Sequence, residues 1–174
     1  RFIGAYLNQQ LPPRLGVPEI AFLGRSNVGK SSLLNKLSKS NLARVGKTPG
    51  ATASVNLYSL VDAKDRDLLG WVDLPGFGYA KLSKQTQEQV QRAAEYYLEN
   101  RKELALGILL VDIRRTPSEG DRGVLAALYD LGLPVVVVAT KLDKLKTTED
   151  PQPYLTTIRN ELGLPKGQPL AVSS

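Results

Sequence analysis

The feature that most constrains the fold of this chain is a glycine-bounded string at residues 24–31, Gly-Arg-Ser-Asn-Val-Gly-Lys-Ser. It fits the pattern G-x-x-x-x-G-K-S/T, in which glycines let backbone N–H groups turn toward phosphate oxygens. An apolar run at 19–23 precedes the string and leucines at helical spacing follow it, as a strand–loop–helix unit requires. In such a loop Lys30 can reach the β- and γ-phosphates, and the Ser31 hydroxyl can bind magnesium.

The remaining sequence alternates apolar runs with amphipathic stretches. Patterns typical of strands lie at 19–23, 55–61, 68–73, 104–112, 134–140 and 169–172. Helical spacing of apolar residues is found at Leu33, Leu34 and Leu37, and within 86–101, 118–131 and 152–162. This alternation predicts a three-layer α/β domain, with a mostly parallel sheet of about six strands and helices on both faces. Ligands of such sheets bind at the carboxyl ends of the strands.

The chain divides into a short lead-in at 1–18 and a nucleotide-binding domain at 19–174. Prolines at positions 12, 13 and 18 favour irregular backbone in the lead-in. The sequence contains no Met, so we expect it to be part of a longer chain, and a lost targeting segment is an open alternative. No apolar run approaches the roughly 20 residues that a spanning helix needs, so we expect no membrane partner.

The composition restricts the chemistry that the chain can perform. It contains no Cys and no His, which excludes disulfides, thiolate metal sites and an imidazole general base. Hydrolysis would therefore depend on positioning, cations and water. Lys and Arg number 23 against 17 Asp and Glu, a formal charge of +6, which favours a polyanionic partner. A solvated surface with lysines at a phosphate site explains the same excess.

A second motif, Asp73-Leu74-Pro75-Gly76, ends the strand predicted at 68–73. At that strand end the Asp73 carboxylate would lie near a magnesium-bound water and the Gly76 N–H near a γ-phosphate. Asp-x-Pro-Gly is also ordinary turn chemistry. Its place after the phosphate loop favours the nucleotide site.

A third motif, Thr140-Lys141-Leu142-Asp143, closes the valine-rich strand predicted at 134–140. The Asp143 carboxylate can accept hydrogens from guanine N1 and the exocyclic amine, a donor pair that adenine lacks. Lys141 can lay its aliphatic stem over the purine face. A charged, solvated turn is the alternative, and the phosphate loop upstream favours guanine. The three motifs together predict a protein that binds GTP and GDP.

These strings resemble those of the TRAFAC-class GTPases, and specifically the EngB-type (YihA/YsxC) ribosome-biogenesis family. The resemblance covers essentially the whole chain. The matching strings, in the order in which the family has them, are 18–22 (Pro-Glu-Ile-Ala-Phe), 24–31, 47–50 (Lys-Thr-Pro-Gly), 72–81 (Val-Asp-Leu-Pro-Gly-Phe-Gly-Tyr-Ala-Lys), 133–134 (Leu-Pro) and 140–143.

By this resemblance Thr52 is the switch threonine, whose hydroxyl joins the magnesium shell, with Thr48 as the alternative. The family usually has Arg and Gln where this chain has Ala51 and Ala53, so two polar contacts of the switch are missing. The last two residues look like the start of the family's final guanine-contacting loop. The helix that normally follows is absent from this sequence.

The resemblance thus implies a nucleotide site, a magnesium ion and a catalytic set. The nucleotide-binding residues are Gly24, Arg25, Ser26, Asn27, Val28, Gly29, Lys30, Ser31, Ser32, Gly50, Thr52, Asp73, Gly76, Thr140, Lys141, Asp143, Ser173 and Ser174. The magnesium ligands are Ser31, Thr52 and, through water, Asp73. The catalytic residues are Lys30, Asn27 and Thr52.

Hydrolysis should be slow, because Phe77 occupies the position of the water-orienting glutamine of Ras-like enzymes. Asn27 matches the asparagine that helps to hold a potassium ion in potassium-activated relatives, which makes K⁺ a candidate cofactor besides Mg²⁺. A loop residue that tolerates an unusual turn is the alternative for Asn27.

The function that the resemblance implies is a slow GTPase acting as a nucleotide switch in assembly of the large ribosomal subunit, with links to cell division and septation. Its partners would be ribosomal particles or rRNA. Two loops, at 43–54 and 76–84, would change order with the γ-phosphate. The basic residues in or near them either face that RNA or are solvated, namely Arg44, Lys47, Lys81 and Lys84. Alternatives are a nucleotide-gated RNA-binding scaffold and another translational or tRNA-modifying GTPase. We expect a cytoplasmic monomer, with organellar relatives left open.

Overall fold

The computed structural model describes residues 1–7, 9–43, 54–78 and 83–173. The strands are β1 (Phe2–Tyr6), β2 (Glu19–Gly24), β3 (Val55–Val61), β4 (Asp67–Asp73), β5 (Leu104–Asp112), β6 (Val135–Thr140) and β7 (Leu170–Ala171). The helices are α1 (Lys30–Ser38), α2 (Lys84–Asn100), α3 (Glu119–Asp130) and α4 (Gln152–Leu162), with one 3-10 turn at Leu142–Lys144.

All described strands form one sheet in the order β1-β3-β4-β2-β5-β6-β7. Five neighbouring strands, β4, β2, β5, β6 and β7, run parallel. Strand β3 pairs antiparallel with both β1 and β4. The predicted mostly parallel α/β sheet is confirmed. Because β4, β2, β5 and β6 are parallel neighbours, their carboxyl ends lie together at one edge of the sheet, which is where ligands of such sheets bind.

The expected count of about six strands is one short, because part of the lead-in is regular. Phe2–Tyr6 forms β1, and the amino group of Arg1 donates to the Ser59 carbonyl at 2.7 Å. The segment lacks the strict alternation that marks a half-buried strand, so only its pairing with β3 reveals it. The prolines that favoured irregular backbone lie beyond it, and residues 10–15 are indeed without regular structure.

Helices cover both faces of the sheet. Leu33 and Leu34 of α1 pack with Phe22, Trp71 and Leu110 on one face. The other three helices pack on the opposite face, because successive residues of a strand point to opposite sides. Leu37, which the helical spacing grouped with Leu33 and Leu34, is instead 52% exposed near the end of α1.

Local signals explain where the helices begin and end. Ser118 accepts from the Asp121 N–H at 3.4 Å while the Asp121 carboxylate accepts from the Ser118 N–H at 2.8 Å, so a capping box starts α3. The Ser83 hydroxyl accepts from the Thr86 N–H and starts α2. Gly163 ends α4 with a φ of 61°, which glycine adopts without strain.

A buried polar cluster fixes the edge of the sheet opposite to the strand ends that form the site. Glu19, at the start of β2, is fully buried and accepts from Arg101 and from the Tyr97 hydroxyl. Arg101 also donates to the carbonyls of Pro12 and Pro13, at 2.7 and 2.8 Å. Burial, and then the hydrogen bond to Glu19, raise the pKa of Tyr97 far above its usual range, so its hydroxyl remains a donor. The cluster thereby ties α2 and the lead-in to β2.

We expect Glu19→Gln to lower the free energy of unfolding by about 3 kcal/mol, because it removes the closer and fully buried one of the two carboxylates that compensate Arg101, the other being Glu103 at 3.4 Å. Urea denaturation measures the change. Glu88→Gln is the matched control, since the partner of Glu88, Arg92, is exposed and 3.9 Å away, and it should cost less than about 0.5 kcal/mol. Equal, small losses for both variants would contradict the role given to the cluster.

Candidate functional site

The glycine-bounded loop lies between β2 and α1, at the carboxyl edge of the sheet. Gly24 is required for space, because a Cβ there would lie 2.8 Å from both the Leu110 carbonyl oxygen and Val28 Cγ1. Gly29 has a φ of 108° immediately before the helix, a conformation that other residues rarely adopt. The loop therefore starts with a close approach to β5 and ends with a turn that aims the first N–H groups of α1 outward.

The segment after β4 lies alongside this loop. The Leu74 N–H donates to the Phe22 carbonyl at 3.1 Å, and the Phe77 N–H donates to the Gly24 carbonyl at 3.3 Å. In return, the Ser26 N–H donates to the Phe77 carbonyl at 3.1 Å. The Asp-x-Pro-Gly motif is thus held against β2 by Leu74, within the motif, and against the loop by Phe77, directly after it. Phe77 therefore contacts the loop through its main chain, which its side chain does not predict.

The Phe77 ring points toward α3. A Cβ added to Gly120 would lie 3.4 Å from the ring, and the ring packs against the larger core cluster of the sheet. This is an ordinary van der Waals distance, so the ring lies directly against α3. Phe77 is therefore a packing residue in this structure.

The structure brings Lys30 and Asp73 together. Lys30 Nζ lies 2.8 Å from Asp73 Oδ1, and the two side chains are 8% and 2% exposed. Asp73 Oδ1 accepts no hydrogen bond of good geometry from any residue that the structure describes. Both partners are predicted site residues, from two different motifs, and they form one buried ion pair beside Ser31 at the first turn of α1.

Thr140 joins the third motif to the loop. It is fully buried at the end of β6, and its hydroxyl lies 2.6 Å from the Val28 carbonyl oxygen and 3.1 Å from that of Val111. The hydroxyl donates one hydrogen, which the closer carbonyl accepts. A buried carbonyl of the loop is thereby satisfied by the strand that precedes the guanine motif.

Lys141 makes a second link to the loop. Its φ is 63°, and its Nζ donates to the Asn27 carbonyl at 2.6 Å. Asn27 also has a positive φ, of 61°, a region in which asparagine is several-fold enriched. The turn itself therefore accounts for an asparagine at this position. The Asn27 side chain is exposed and makes no hydrogen bond to another described residue.

Asp143 lies in the 3-10 turn that follows, and its side chain is 38% exposed and 3.4 Å from Lys144 Nζ. The end of β7 lies next to this turn, since the Leu142 N–H donates to the Val172 carbonyl at 3.2 Å. Lys36 of α1 donates to the Ser173 carbonyl at 2.9 Å. Asp143 and Ser173, which are separated in sequence, thus lie at the same edge as the loop.

Asp112 and Arg114 also lie at this site, although they belong to none of the three sequence motifs. Asp112 ends β5, is 9% exposed, and accepts from the Arg114 N–H and Nε through Oδ1 and from Nη2 through Oδ2. Lys141 Nζ lies 3.1 Å from Oδ2. Burial by itself would raise the pKa of Asp112, but the hydrogen bonds from Arg114 and Lys141 outweigh it and hold the pKa well below its usual range. A carboxylate at the end of a long apolar run was the signal that could have identified it.

Some predicted residues lie outside the described ranges, and their roles stay predictions. They are Arg44, Lys47, Thr48, Gly50, Ala51, Thr52, Ala53, Lys81 and Ser174. Within the ranges that the structure describes, no group of three or more His, Cys, Asp or Glu side chains is placed to hold a metal ion. No described helix is long and apolar enough to cross a membrane.

A phosphate loop on the central strand, an aspartate after the neighbouring strand and a Thr-Lys-x-Asp segment linked to that loop are the arrangement of a P-loop GTPase. Residues 19–141 match the family described as 50S ribosome-binding GTPase. The probable GTP-binding protein EngB of Desulfitobacterium hafniense is 46% identical over 145 residues, 83% of this chain and 70% of the relative. That of Syntrophomonas wolfei is 41% identical over 174 residues, 98% of this chain and 86% of the relative. The chain belongs to the EngB family of GTP-binding proteins, P-loop enzymes that hydrolyse GTP.

Solved structures agree on the fold. The crystal structure of a probable GTP-binding protein EngB is 26% identical, with a TM-score of 0.68 over 89% of this chain and 87% of that one. Era, crystallised with MgGDPNP and a fragment of 16S ribosomal RNA, is 23% identical, with a TM-score of 0.72 over 90% of this chain and 51% of Era. At that identity the likeness to Era shows the fold alone.

Proposed function

We propose that this GTPase is a nucleotide switch in assembly of the large ribosomal subunit, acting as a cytoplasmic monomer. The observation that carries the proposal is the match of residues 19–141 to a family described as binding the 50S ribosome. The formal charge of +6 agrees with a polyanionic partner. Lys84, at the start of α2, and the basic residues at positions 44, 47 and 81 would contribute to that surface.

The phosphate contacts of the switch follow from the loop. The Ser26 N–H donates to the Phe77 carbonyl and the Val28 N–H to the Arg25 carbonyl. The N–H groups of Asn27 and of residues 29–32, at the amino end of α1, would therefore bind phosphate oxygens, and Lys30 would bind the β- and γ-phosphates.

The residues present fit a magnesium ion, because the Asp73 carboxylate is buried at the strand end. Its Oδ1 pairs with Lys30, which would turn to the phosphates, and accepts no hydrogen bond of good geometry from the described residues. Ser31 would hold the ion, with Thr52, and with Asp73 through water. The ion would neutralise negative charge on the β- and γ-phosphates.

The base contacts follow from the third motif. Asp143 would accept hydrogens from guanine N1 and the exocyclic amine, and the Lys141 stem would cover the purine face. Ser173 and Ser174 would meet the base from the end of β7. Thr140 supports these contacts indirectly, because its hydroxyl joins the motif to the phosphate loop.

Slow hydrolysis is consistent with the packing of Phe77. Its ring lies next to Gly120 of α3, so the residue after Gly76 supplies no group that orients water. We propose that a potassium ion bound with the help of Asn27 supplies positive charge at the transition state. The same position of Phe77 favours the second candidate, a nucleotide-gated scaffold for ribosomal RNA with incidental hydrolysis.

Asp143→Asn tests the assignment of the base site. The amide offers one acceptor and one donor in place of two acceptors, so preference should move from guanosine toward xanthosine nucleotides by about tenfold or more. Competition binding with GDP and XDP measures the change, and Asp150→Asn, on the exposed turn before α4, is the control. An unchanged preference for GDP would refute the contact.

The potassium proposal predicts that GTP turnover is about tenfold faster in K⁺ than in Na⁺ at equal ionic strength. Asn27→Gly should abolish the difference, and glycine is the appropriate replacement because it accepts a φ of 61° without strain. Steady-state phosphate release measures both. Equal turnover of the unmodified protein in the two salts would end the proposal.

The ribosomal proposal predicts that the full chain sediments with large-subunit particles when bound to a non-hydrolysable GTP analogue and is released in GDP. Stimulation of hydrolysis by the particles would favour a timer, whereas nucleotide-dependent binding without stimulation would favour the scaffold. If the chain sediments with particles in neither state, both ribosomal proposals are wrong.

A further inference from the structure

The guanine motif adjoins two charged residues, Asp112 and Arg114, that the proposed nucleotide contacts do not use. Asp112 is the centre of this group, since one of its carboxylate oxygens, Oδ2, meets both Arg114 Nη2 at 2.7 Å and Lys141 Nζ at 3.1 Å. Arg114 adds two further hydrogen bonds to Oδ1. Asp112 is 8% exposed in its side chain, whereas Arg114 is 41% exposed. A nearly buried carboxylate is therefore held by a partly exposed arginine.

One consequence concerns Lys141. A lysine stem is flexible, and confining it costs rotamer entropy. Two of the three N–H donors of Lys141 are taken, one by the Asn27 carbonyl at 2.6 Å and one by Asp112. With its end fixed by two acceptors and its backbone at a φ of 63°, the stem is confined before a base binds. Asp112 thereby contributes to pre-organising the surface on which the purine would lie.

The other consequence concerns Arg114. Its guanidinium is attracted by two carboxylates, Asp112 and Asp143. The guanidinium donates two hydrogen bonds to Asp112, and the Arg114 backbone N–H donates a third. Together they hold the arginine side chain in place. Held there, Arg114 forms no ion pair with Asp143, whose Oδ2 lies 3.4 Å from the exposed ammonium of Lys144. Removing the Asp112 carboxylate would release Arg114 from these hydrogen bonds, and Asp143 is the other carboxylate that attracts it.

We infer that Asp112 is a positioning residue of the guanine site: it fixes Lys141 against the phosphate loop and keeps Arg114 away from Asp143. The inference rests on the base contacts proposed above. It adds a specificity-determining role for a residue outside the three sequence motifs, and it assigns Arg114 as a potential competitor of the base.

Asp112→Asn is the direct test, with GDP and IDP as probes. Inosine lacks the exocyclic amine, so the ratio of GDP to IDP affinity reports the second hydrogen bond to Asp143. We expect the variant to bind GDP about tenfold more weakly, with faster dissociation of GDP and a ratio that falls toward unity. Equal weakening of GDP and IDP would overturn the inference, because loss of the Lys141 contact or damage to the fold would then explain the result without any effect of Arg114 on Asp143.

The double variant Asp112→Asn/Arg114→Ala separates the two consequences. With the competing arginine removed, the GDP-to-IDP ratio should return, while GDP affinity stays below that of the unmodified protein because Lys141 is still not fixed. A ratio as low as in Asp112→Asn alone would overturn the inference. Arg114→Ala alone is informative even if Asp112→Asn does not fold, since the inference requires its ratio to remain normal.

Asp62 provides a matched control. Its carboxylate also accepts from an arginine and from backbone N–H groups, with Arg66 Nε at 2.8 Å, but it lies in the β3–β4 turn at the opposite edge of the sheet. Asp62→Asn should leave GDP affinity and the ratio within about twofold of normal. Asp143→Asn tests the base contact itself, so failure of the proposed site and failure of the role of Asp112 give different results.

Discussion

The site depends on how the carbonyls of the phosphate loop are satisfied. A loop that turns its N–H groups toward a ligand leaves its carbonyl oxygens facing the protein, where an unpaired buried acceptor costs about 1–3 kcal/mol. In this chain three residues from two other segments supply donors. Phe77, which follows β4, donates to the Gly24 carbonyl. Thr140, at the end of β6, donates to the Val28 carbonyl, and the adjacent Lys141 donates to the Asn27 carbonyl. The conformation of the loop is thus determined by segments far away in sequence.

Those segments can meet the loop only because the sheet is parallel across β4, β2, β5 and β6. The carboxyl ends of these strands fall at one edge, and each motif follows directly after one of them. At the other edge, Glu19 is neutralised by Arg101, which also bonds the lead-in. One end of β2 is therefore anchored in a buried ion pair, while the other end opens into the loop.

The sequence was informative where a local pattern determines the outcome. The glycine positions of the loop follow from steric needs at Gly24 and Gly29, and the strands and helices follow from hydrophobic periodicity, so their bounds were predicted within a few residues. It was less informative where a residue acts through a distant partner. The strand β1 exists because β3 offers it an edge, and Asp112 matters because Lys141 and Arg114 meet there. Helical spacing also predicted that Leu37 is buried, and it is exposed, because spacing alone does not show where the buried face of a short helix ends.

The two hydrogen bonds from the guanine motif to the phosphate loop couple binding of the base to binding of the phosphates. Thr140 and Lys141 join the segment that would hold the base to the segment that would hold the phosphates, so ordering either segment favours the ordered form of the other. Thermodynamic linkage makes this effect reciprocal. A guanosine and a pyrophosphate bound separately should therefore assist one another, each lowering the entropic cost of fixing the half-site that the other occupies.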